Sequence, residues 1–529
     1  MTEISEKILA HFKDRQIELE FNEDELKRMP AGTPFIVISN RFMEGIDEML
    51  LLYLADKSGS PVTLFPNGAS LPAEFSTFWM KDIVVTRENN RPFDYFVQLV
   101  KELKKVNWKE NGLGLVVNFS GNRIRELRRG RGLNRLMKAL RAFNLPIVPV
   151  RIYTPEPMPL IGPRIMQFLR PGPVQITLRV GNPIKVESQK KIEGNDRFRR
   201  FIQSKIYALG TSLEVTRFFS LSAALPLLTR PVEPEPLAEE IDRTVIATEI
   251  GRLTFRNLVA SQGEFDIFVA EAIEIPNALM EIGRLRELTF RQVGEGTGKA
   301  RDLDEYDLYY HQLIIWDREA RRIAGGYRMG KGDEIFSRLG AGGLYISSLF
   351  RIKAGFYPIM KQAMELGRSY IIPDYQRKRL PLFLLWKGIL FFLLQNPQYR
   401  YLYGPVSVSK YYSNVSKSLI VAFIKKYYFD DELAAFLKPR KPFKAKTDKI
   451  DIDVLTESLG AEMKTLDNFI DDIEPEHFRM PVLMRQYVRL NARFISFNVD
   501  PQFSDVLDGF IILDLHDVPY SMIEALKGE

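Results

Sequence analysis

The chain has no cysteine and only four histidines among its 529 residues. The lack of cysteine excludes a disulfide framework, a thiolate nucleophile and Cys-ligated zinc, and it favours a reducing compartment. Residues 1–15 are polar and charged and lack the apolar core of a secretory signal peptide. The most apolar run, Leu380–Leu394, contains Lys387 and is shorter than the roughly 20 residues needed to span a bilayer. We therefore expect a cytoplasmic protein in which this run is a buried helix.

The overall composition is that of a globular protein with several domains. Hydrophobic residues make up 45% of the chain and charged residues 27%, which argues against a disordered chain or a fibre. A domain averages about 150 residues, so this length predicts two to four of them. A cluster of prolines and acids at Pro231–Pro236 follows a helical pattern at Asp196–Leu213 and marks the clearest boundary. We predict domains at 1–215 and 249–529, joined by a linker at 216–248.

Positive charge is concentrated in one segment. The net charge is +7, and Arg123–Arg141 carries eight Arg or Lys residues against one acid, Glu126. Leucines interleave with these cations, which suits an anionic membrane surface, an acidic carrier protein or a nucleic acid. A solvated helix face is an equally simple explanation. Nucleic acid is the least favoured partner, because no recognised nucleic-acid-binding module accompanies the segment, and we expect none to bind.

Short apolar runs alternate with helical patterns, as expected of α/β domains. In the first half the predicted strands are Phe35–Ile38, Ile83–Val85, Leu115–Val117 and Ile147–Val150. In the second half they are Asp266–Ala270, Leu308–Trp316, Arg322–Met329, Leu344–Leu349, Glu365–Ile372 and Tyr401–Val408. Helices are predicted at Asn277–Phe290 and Lys410–Lys426. The predicted fold class is α/β in both halves, with different modules.

The segment from Met364 to Leu394 has the outline of an acyl-thioester site. It reads as a strand, then a short cation-rich turn, then an apolar helix at Pro381–Leu394. A helix N-terminus offers unpaired backbone N–H groups and a positive dipole end to a phosphate. Glu365, Arg368 and Gln376 are the residues of this segment that fit the chemistry of such a site.

Ordered motifs in the second half carry a family resemblance. They are Arg286-x-x-x-Phe290, Asp304-x-x-Asp307, Gly326-Tyr327-Arg328 and Glu365-x-x-Arg368. Together they resemble the acyl-carrier-dependent branch of the GNAT superfamily, which includes homoserine-lactone autoinducer synthases. Phrases such as Pro373-Asp374-Tyr375 and Gly404-Pro405-Val406-Ser407 are more similar still to hemolysin-like N-acyltransferases of ornithine- and glycine-lipid synthesis. The resemblance covers residues 250–515.

This resemblance implies a GNAT-like α/β domain with a central mixed sheet that acylates a small amine acceptor for an aminolipid. The acyl donor would be acyl carrier protein or acyl-CoA, with no bound cofactor and no metal. An ammonium is not a nucleophile, so a base is required, and Glu365 is the residue that we assign to this role. Arg368 and Arg328 would orient the acceptor carboxylate or the carrier. Taken singly, each of these residues is more simply explained by a surface ion pair, and only their order and spacing together favour a functional site.

Four further substrate-binding residues, Arg286, Phe290, Asp304 and Asp307, follow from the same motifs. Asp304 and Asp307 would hold Arg286 or bind the acceptor amine, and Phe290 completes the motif of Arg286. His311, which follows two tyrosines at a strand start, is more simply structural.

The predicted phosphate-binding turn departs from the pattern of acetyl-CoA users. Those proteins have Gln/Arg-x-x-Gly-x-Gly/Ala, in which glycine lets backbone N–H groups approach the phosphates. Gln376-Arg377-Lys378-Arg379 is followed by Leu380 and Pro381 and lacks both glycines. Its cations would favour an acidic carrier protein or the phosphate of phosphopantetheine. Acyl carrier protein is therefore the preferred donor.

Residues 30–190 resemble the glycerolipid (PlsC-like) acyltransferase family. The cues are Ile38–Asp47, Asn118–Asn122 and Ile147–Val150. In that family a catalytic histidine follows the position of Asn40, whereas this chain has Arg41, which stays protonated and cannot act as a base. The acceptor motif also loses its acidic position, at Gly121 and Asn122. We predict a degenerate site. Asp47 and Glu44 could belong to a remodelled active site, but a carboxylate near Arg41 is more simply an ion pair at a former catalytic position.

The favoured interpretation is thus an N-acyltransferase peripheral to the inner membrane, with an inactive N-terminal domain. Two alternatives remain open. The N-terminal domain could esterify a lyso-lipid hydroxyl, or the whole chain could be a non-catalytic membrane-associated lipid-binding or scaffold protein.

Overall fold

The computed structural model describes residues 3–31, 33–42, 45–59, 62–64, 75, 112–117, 134, 136–154, 173–209, 234–376, 380–445, 450–474, 480–503 and 505–528. The chain divides into two compact units. The first contains Met1–Pro226, Ser413–Ala422 and Ala445–Arg479, and the second contains Leu227–Tyr412, Phe423–Lys444 and Met480–Glu529. The predicted linker at 216–248 stays a prediction.

The described strands, in chain order, are β1 (Ile17–Phe21), β2 (Ile36–Asn40), β3 (Val62–Leu64), β4 (Gly112–Val117), β5 (Ile147–Tyr153), β6 (Val174–Val180), β7 (Leu258–Gln262), β8 (Phe265–Ala270), β9 (His311–Asp317), β10 (Arg322–Lys331), β11 (Phe350–Ile352), β12 (Ala363–Ile371), β13 (Tyr401–Val408), β14 (Leu437–Pro439), β15 (Arg493–Asp500) and β16 (Val506–Asp514).

The described α-helices are α1 (Glu3–Asp14), α2 (Glu23–Leu26), α3 (Ile46–Ser58), α4 (Val186–Lys190), α5 (Asn195–Ala208), α6 (Arg243–Ile250), α7 (Pro276–Gln292), α8 (Gly332–Leu339), α9 (Ile346–Leu349), α10 (Tyr357–Lys361), α11 (Pro373–Gln376), α12 (Leu380–Gln395), α13 (Asn414–Tyr427), α14 (Asp431–Ala434), α15 (Ile452–Leu459), α16 (Met463–Ile473), α17 (Val482–Arg489) and α18 (Tyr520–Gly528). Short 3₁₀ turns include Glu305–Leu308, Ala341–Gly343 and Pro501–Phe503.

The first unit is built on a six-stranded sheet in the order β1-β6-β5-β2-β4-β3. Neighbouring strands are parallel except β5 and β6. All five residues of β2 are buried, because this strand lies inside the sheet and is covered on both faces. Helix α3 is buried at its first ten residues and packs into the same core, which explains why it is apolar all round.

The second unit is built on an eight-stranded mixed sheet in the order β15-β16-β13-β12-β10-β9-β8-β7. All neighbours are antiparallel except the central pair β12 and β13. The eight inner residues of β10 are buried, as expected of a strand covered on both faces. Helix α12 packs on one face, where a Cβ on Gly388 would lie 2.7 Å from Ile267 and 2.9 Å from Leu313. The glycine therefore permits close approach of helix to sheet.

The central parallel pair opens part-way along its length. Within the described strands, β12 and β13 are paired from Ala363 to Glu365 and from Tyr401 to Tyr403 only, although both strands continue. Beyond Glu365 the two strands diverge, and each remains paired on its other side. The divergence leaves an opening in the centre of the sheet that begins next to Glu365.

Gly404 lies at the start of this opening, so replacing it by alanine should be strongly destabilising. A Cβ there would lie 2.0 Å from the carbonyl oxygen of Leu366, and backbone cannot move aside as a side chain can. We expect Gly404→Ala to lower the free energy of unfolding by an amount at the upper end of about 1–3 kcal/mol. Chemical denaturation measures this change in the free energy of unfolding. Gly367→Ala is the matched control, because a Cβ at Gly367 meets nothing within 4 Å; equal effects in both variants would contradict this account.

Most of the predicted strands and helices of the second unit are confirmed. Strands occur at Phe265–Ala270, Arg322–Lys331, Ala363–Ile371 and Tyr401–Val408, and the apolar run forms α12. The predicted helices occur as α7 and α13, and the strand beginning at Leu308 begins instead at His311. Ile83–Val85 lies outside the described residues.

The predicted strand at Leu344–Leu349 is wrong. Ile346–Leu349 is a four-residue helix, and the strand β11 begins only at Phe350. The carboxylate of Glu365 accepts hydrogen bonds from the backbone N–H groups of Tyr345 and Ile346, which fixes the first helical turn. The partner is distant in sequence, so the local apolar pattern does not reveal this cap.

Candidate active site

Glu365 lies at the last paired position of β12 beside the opening and is only 1% exposed. Its carboxylate accepts hydrogen bonds from the Tyr310 hydroxyl at 2.5 Å, from the Tyr345 N–H at 3.0 Å and from the Ile346 N–H at 2.6 Å. These donors come from the turn before β9 and from the start of α9. The carboxylate is therefore fixed in position at the edge of the opening.

Burial raises the pKa of Glu365 to about 7, although the hydrogen bonds from Tyr310 and Ile346 and the charge of Arg328 act in the opposite direction. A carboxyl group with such a pKa is partly ionised at neutral pH. It can therefore accept a proton and release it again under working conditions, as a general base must.

Arg368 occupies a bulge in β12, three residues beyond Glu365. The register between β10 and β12 shifts between Gly326 and Arg328, so that Arg368 and Ser369 together oppose Tyr327. Arg368 has φ of 53°, a left-handed conformation that costs a residue with a side chain of order 1–3 kcal/mol. Its side chain is 9% exposed. The surrounding contacts hold it there and re-aim its guanidinium.

Three arginines and three aspartates form a closed ring of alternating charges, in which every member contacts two members of opposite sign. The contacts are Arg286 to Asp302 (3.1 Å) and Asp307 (2.9 Å), Arg328 to Asp304 (2.5 Å) and Asp307 (3.3 Å), and Arg368 to Asp302 (3.0 Å) and Asp304 (3.2 Å). We call this cluster the Arg/Asp ring. Its six formal charges cancel, which is what allows them to be buried together.

The Arg/Asp ring ties a loop to the sheet. The arginines are on α7, β10 and β12, whereas the aspartates are all on the segment 302–307. Asp307 also accepts from the Asp304 N–H at 3.0 Å and from the Gln312 amide at 3.1 Å. Burial alone would raise the pKa values of Asp302 and Asp307, but the neighbouring guanidinium groups more than offset it and lower both. Both aspartates are thus held ionised.

Aromatic rings cover the arginines next to the opening. The Arg328 guanidinium carbon lies 5.5, 5.3 and 5.3 Å from the ring centres of Tyr306, Tyr310 and Tyr345. That of Arg368 lies 4.9 Å from Tyr345 and 4.1 Å from Phe503, distances typical of cation–π contacts. Tyr345 therefore contacts both arginines while its backbone N–H binds Glu365, and it connects the ring to the candidate base.

The structure brings together all seven candidate residues of the GNAT-like motifs. Arg286, Arg328, Arg368, Asp304 and Asp307 lie in the Arg/Asp ring. Glu365 is joined to it through Tyr345, and Phe290 packs edge-to-face on Phe503, with 6.0 Å between ring centres.

Sequence reasoning missed Asp302, which closes the ring, and Tyr310 and Tyr345, which bind Glu365. Asp302 could have been found from its spacing of two residues before Asp304. Tyr345 carried no local signal, because its contacts are distant in sequence.

Two other candidates lie elsewhere. The amide of Gln376 donates to the Ile371 carbonyl at 2.9 Å, across the turn that ends β12. Arg377, Lys378 and Arg379 lie outside the described residues. His311 lies 3.6 Å from Glu271, and burial, followed by the charge of Lys331, lowers its pKa.

In the first unit Arg41 is held by carboxylates. Its Nη1 lies 2.8 Å from Glu48 and 3.6 Å from Asp47, and Asp47 also accepts from the Phe42 N–H at 2.9 Å. The Asn40 side chain bonds both the N–H and the carbonyl of Ile152. The ion pair of Arg41 is thus chiefly to Glu48. The candidates Glu44, Gly121 and Asn122 lie outside the described residues.

Two negative findings apply to the part of the chain that the structure describes. No group of three or more His, Asp or Glu side chains there is arranged to hold a metal ion. Among the same residues, no helix combines the length and the apolar character needed to cross a membrane.

Comparison with known proteins defines the class. Residues 285–386 match the acetyltransferase (GNAT) domain, a range that includes the whole Arg/Asp ring and Glu365. The chain is also 30% identical to glycine N(alpha)-acyltransferases of Phocaeicola vulgatus over 298 residues and of Bacteroides thetaiotaomicron over 314 residues. These matches cover 54% and 55% of this chain and 88% and 86% of the relatives. A shorter match, 32% over 111 residues, joins it to an L-ornithine N(alpha)-acyltransferase of Agrobacterium fabrum and covers 20% of this chain and 36% of that relative.

The second unit therefore carries a GNAT-type N-acyltransferase site, and the protein is an enzyme. The chain belongs to the family of N-acyltransferases that contains these glycine N(alpha)-acyltransferases.

Proposed function

We propose that this enzyme transfers a fatty acyl chain from acyl carrier protein to the amine of glycine or a similar small amino acid, for aminolipid biosynthesis. The observation that carries the proposal is the opening between β12 and β13, which begins beside Glu365 within the GNAT match. An extended thioester-bearing arm entering this opening would find unpaired backbone groups and a carboxylate. The names of the relatives support an N-acyl product.

The reaction follows from the groups that border the opening. The acceptor ammonium loses a proton, and the neutral amine attacks the thioester carbonyl to form the C–N bond. A backbone N–H on the unpaired edge of β12 stabilises the tetrahedral oxyanion. Glu365 takes the second proton from nitrogen, directly or through water, and that proton passes to the sulfur as the C–S bond breaks.

The preference for a carrier-bound donor rests on charge. The sequence after β12 contains Gln376, Arg377, Lys378 and Arg379 and lacks the glycines that cradle a pyrophosphate. Such a cationic segment would attract an acidic carrier protein. Helix α12 begins at Leu380, and its apolar side chains are the natural lining for an acyl chain.

The acceptor is proposed to be a small neutral amino acid. The two relatives named for glycine align over most of their length, whereas the one named for ornithine aligns over 36% of its own. The product is an amphiphile, which favours an enzyme peripheral to the cytoplasmic side of the inner membrane.

For the first unit we propose a non-catalytic role in a PlsC-like fold that has lost its base. Arg41 cannot accept a proton, and its guanidinium is engaged by Glu48 and Asp47. Binding of an acyl chain or a membrane surface is the function that such a domain could retain.

The direct test is expression in a bacterium that lacks aminolipids, followed by mass spectrometry of the lipid extract. We expect a new mono-acylated amino acid with the wild-type chain and with Glu319→Gln, an exposed control, but not with Glu365→Gln. Purified enzyme incubated with acyl carrier protein or coenzyme A thioesters of one acyl chain then identifies the donor. If the Glu365→Gln variant gives the same lipids as the wild-type chain and binds liposomes equally well, the scaffold alternative is favoured.

A further inference from the structure

An aspartate without a partner lies in the sheet near the opening. Asp508 is on β16, directly opposite Ser407 of β13 and Asn498 of β15, and is only 5% exposed. Among the described residues its carboxylate has no hydrogen-bond or ion-pair partner. Buried carboxylates with a purely structural role are normally hydrogen-bonded. The lack of a partner among the described residues therefore points to a partner from outside.

The negative charges of two more carboxylates act on Asp508. Burial raises the pKa of Asp508 well above its usual range, the charges of Asp500 and Glu295 raise it further, and Arg368 acts in the opposite direction. Glu295 accepts from the Ser407 hydroxyl at 2.7 Å, and Asp500 accepts from the Tyr345 hydroxyl at 3.1 Å. We call Asp508, Asp500 and Glu295 the acid cluster. Burial likewise raises the pKa of Glu295.

Asp508 lies on β16, which pairs with the β13 side of the opening, whereas Arg368 lies on β12. Directly opposed residues share one face of a sheet, so Ser407 and Asp508 lie on the same face. On β13 this face also carries Tyr403, which is paired with Glu365, so the cluster and the candidate base face the same side. Tyr345 spans the two, with its N–H on Glu365 and its hydroxyl on Asp500.

We propose that Asp508, supported by Asp500 and Glu295, binds the ammonium group of the acceptor and takes its first proton. This proposal rests on the proposed function. Amide formation removes two protons from nitrogen: one converts the ammonium to the attacking amine, and the other leaves after attack. Asp508 accepts the first and passes it to solvent, and Glu365 accepts the second, which ends on the thiol. Two buried carboxylates at one opening match these two steps.

The test compares Asp508→Asn with Asp505→Asn. Asp505 is an exposed residue in the turn before β16, and its φ of 55° is one that asparagine tolerates. We expect Asp508→Asn to lower kcat/KM for glycine at least about 100-fold, within the range for a lost base, without changing KM for the acyl donor. The control should retain wild-type kinetics. Equal activity of the two variants would overturn the proposal.

The thermal stability of Asp508→Asn distinguishes a role in binding the substrate from a purely structural role. Since the folded-state pKa of Asp508 is raised, its ionisation opposes folding as the pH rises above the unfolded value. Asp508→Asn should therefore raise Tm at pH 8 by a few degrees while activity falls. A lower Tm accompanied by poorer use of both substrates would assign Asp508 a structural role.

A binding experiment tests this inference separately from the proposed function. Glycine should raise the Tm of the wild-type chain, whereas glycolate, which lacks the ammonium, should not, and the glycine effect should vanish in Asp508→Asn. Absence of a glycine effect in the wild type overturns the acid cluster as the glycine ammonium site. Failure of the wild-type chain to acylate any of the twenty amino acids, despite this pattern of binding, overturns the proposed function alone.

Discussion

Glu365→Gln is expected to reduce kcat for N-acyl transfer by about 10²- to 10⁴-fold, the range measured for positioned general bases. Glutamine keeps the size of the side chain but cannot accept a proton from the amine. The measurement is release of the carrier thiol at saturating acyl donor and acceptor. Glu319→Gln, an exposed change between β9 and β10, is the matched control and should retain the wild-type rate.

The pH dependence distinguishes a base from a structural carboxylate. With a pKa of about 7, Glu365 is increasingly ionised as the pH rises, so kcat should increase through pH 7 and then reach a plateau. The stability of the fold should change in the opposite sense. The pKa lies above the usual 4.5, so the contribution of Glu365 to stability is fully present below pH 4.5 and is lost as the pH rises through about 7.

The Glu365→Gln substitution also disturbs hydrogen bonds that Glu365 makes within the fold. The stability of this variant must therefore be measured together with its rate. The amide nitrogen of glutamine cannot accept from the N–H groups of Tyr345 and Ile346, so part of α9 loses its anchor. If the remaining activity of Glu365→Gln kept the rise through pH 7, the titrating group would be another one. The effect of the substitution would then be structural.

The sheet of the second unit was predictable where burial on both faces gives continuous apolar runs, as in β9, β10 and β13. The strands β15 and β16 were not predicted. Their residues include Asn498, Asp500 and Asp508, and polar residues at such positions are typical of an exposed edge. They are instead buried, and two of them have partners within the fold: Asn498 accepts from the Lys441 N–H and Asp500 from the Tyr345 hydroxyl.

The candidate site was predictable as a set of residues but not as an arrangement. The motif spacing brought Arg328 and Arg368 into consideration as groups that orient a substrate, and Arg286 as a residue held by Asp304 and Asp307, of which Asp307 does contact it. In the structure each is already bound by two carboxylates of the Arg/Asp ring. Which aspartate pairs with which arginine depends on how the loop at 302–307 folds back onto α7, β10 and β12. The spacing of the motifs in the sequence does not show this. Their substrate-binding roles stay predictions.

The acid cluster could not be predicted from the sequence at all. A single aspartate in an apolar strand has no local pattern that separates a surface position from a buried site. Asp508 becomes informative only once its neighbours and its lack of a partner are known. The resemblance to acyltransferases did not supply it, because none of the motifs and phrases that carry the resemblance contains Asp508.

The Arg/Asp ring should be among the largest single contributors to the stability of the second unit. Asp302→Asn is expected to cost about 3–5 kcal/mol, because it leaves the buried Arg286 and Arg368 with one carboxylate fewer and a net positive charge. The double variant Asp302→Asn/Arg286→Gln restores neutrality and should recover part of the loss. Urea unfolding of the single and double variants gives the coupling free energy directly.

The pH dependence of stability and an exposed control complete this test. The pKa values of Asp302 and Asp307 are lowered, so the stabilisation that they give is present above pH 3.8 and is lost as the pH falls further. Asp302→Asn should weaken this acid dependence. Asp514→Asn, which removes the partner of the partly exposed Arg400, should cost far less, because solvent screens that pair. Equal losses in Asp302→Asn and Asp514→Asn would mean that the ring fixes geometry without stabilising the fold.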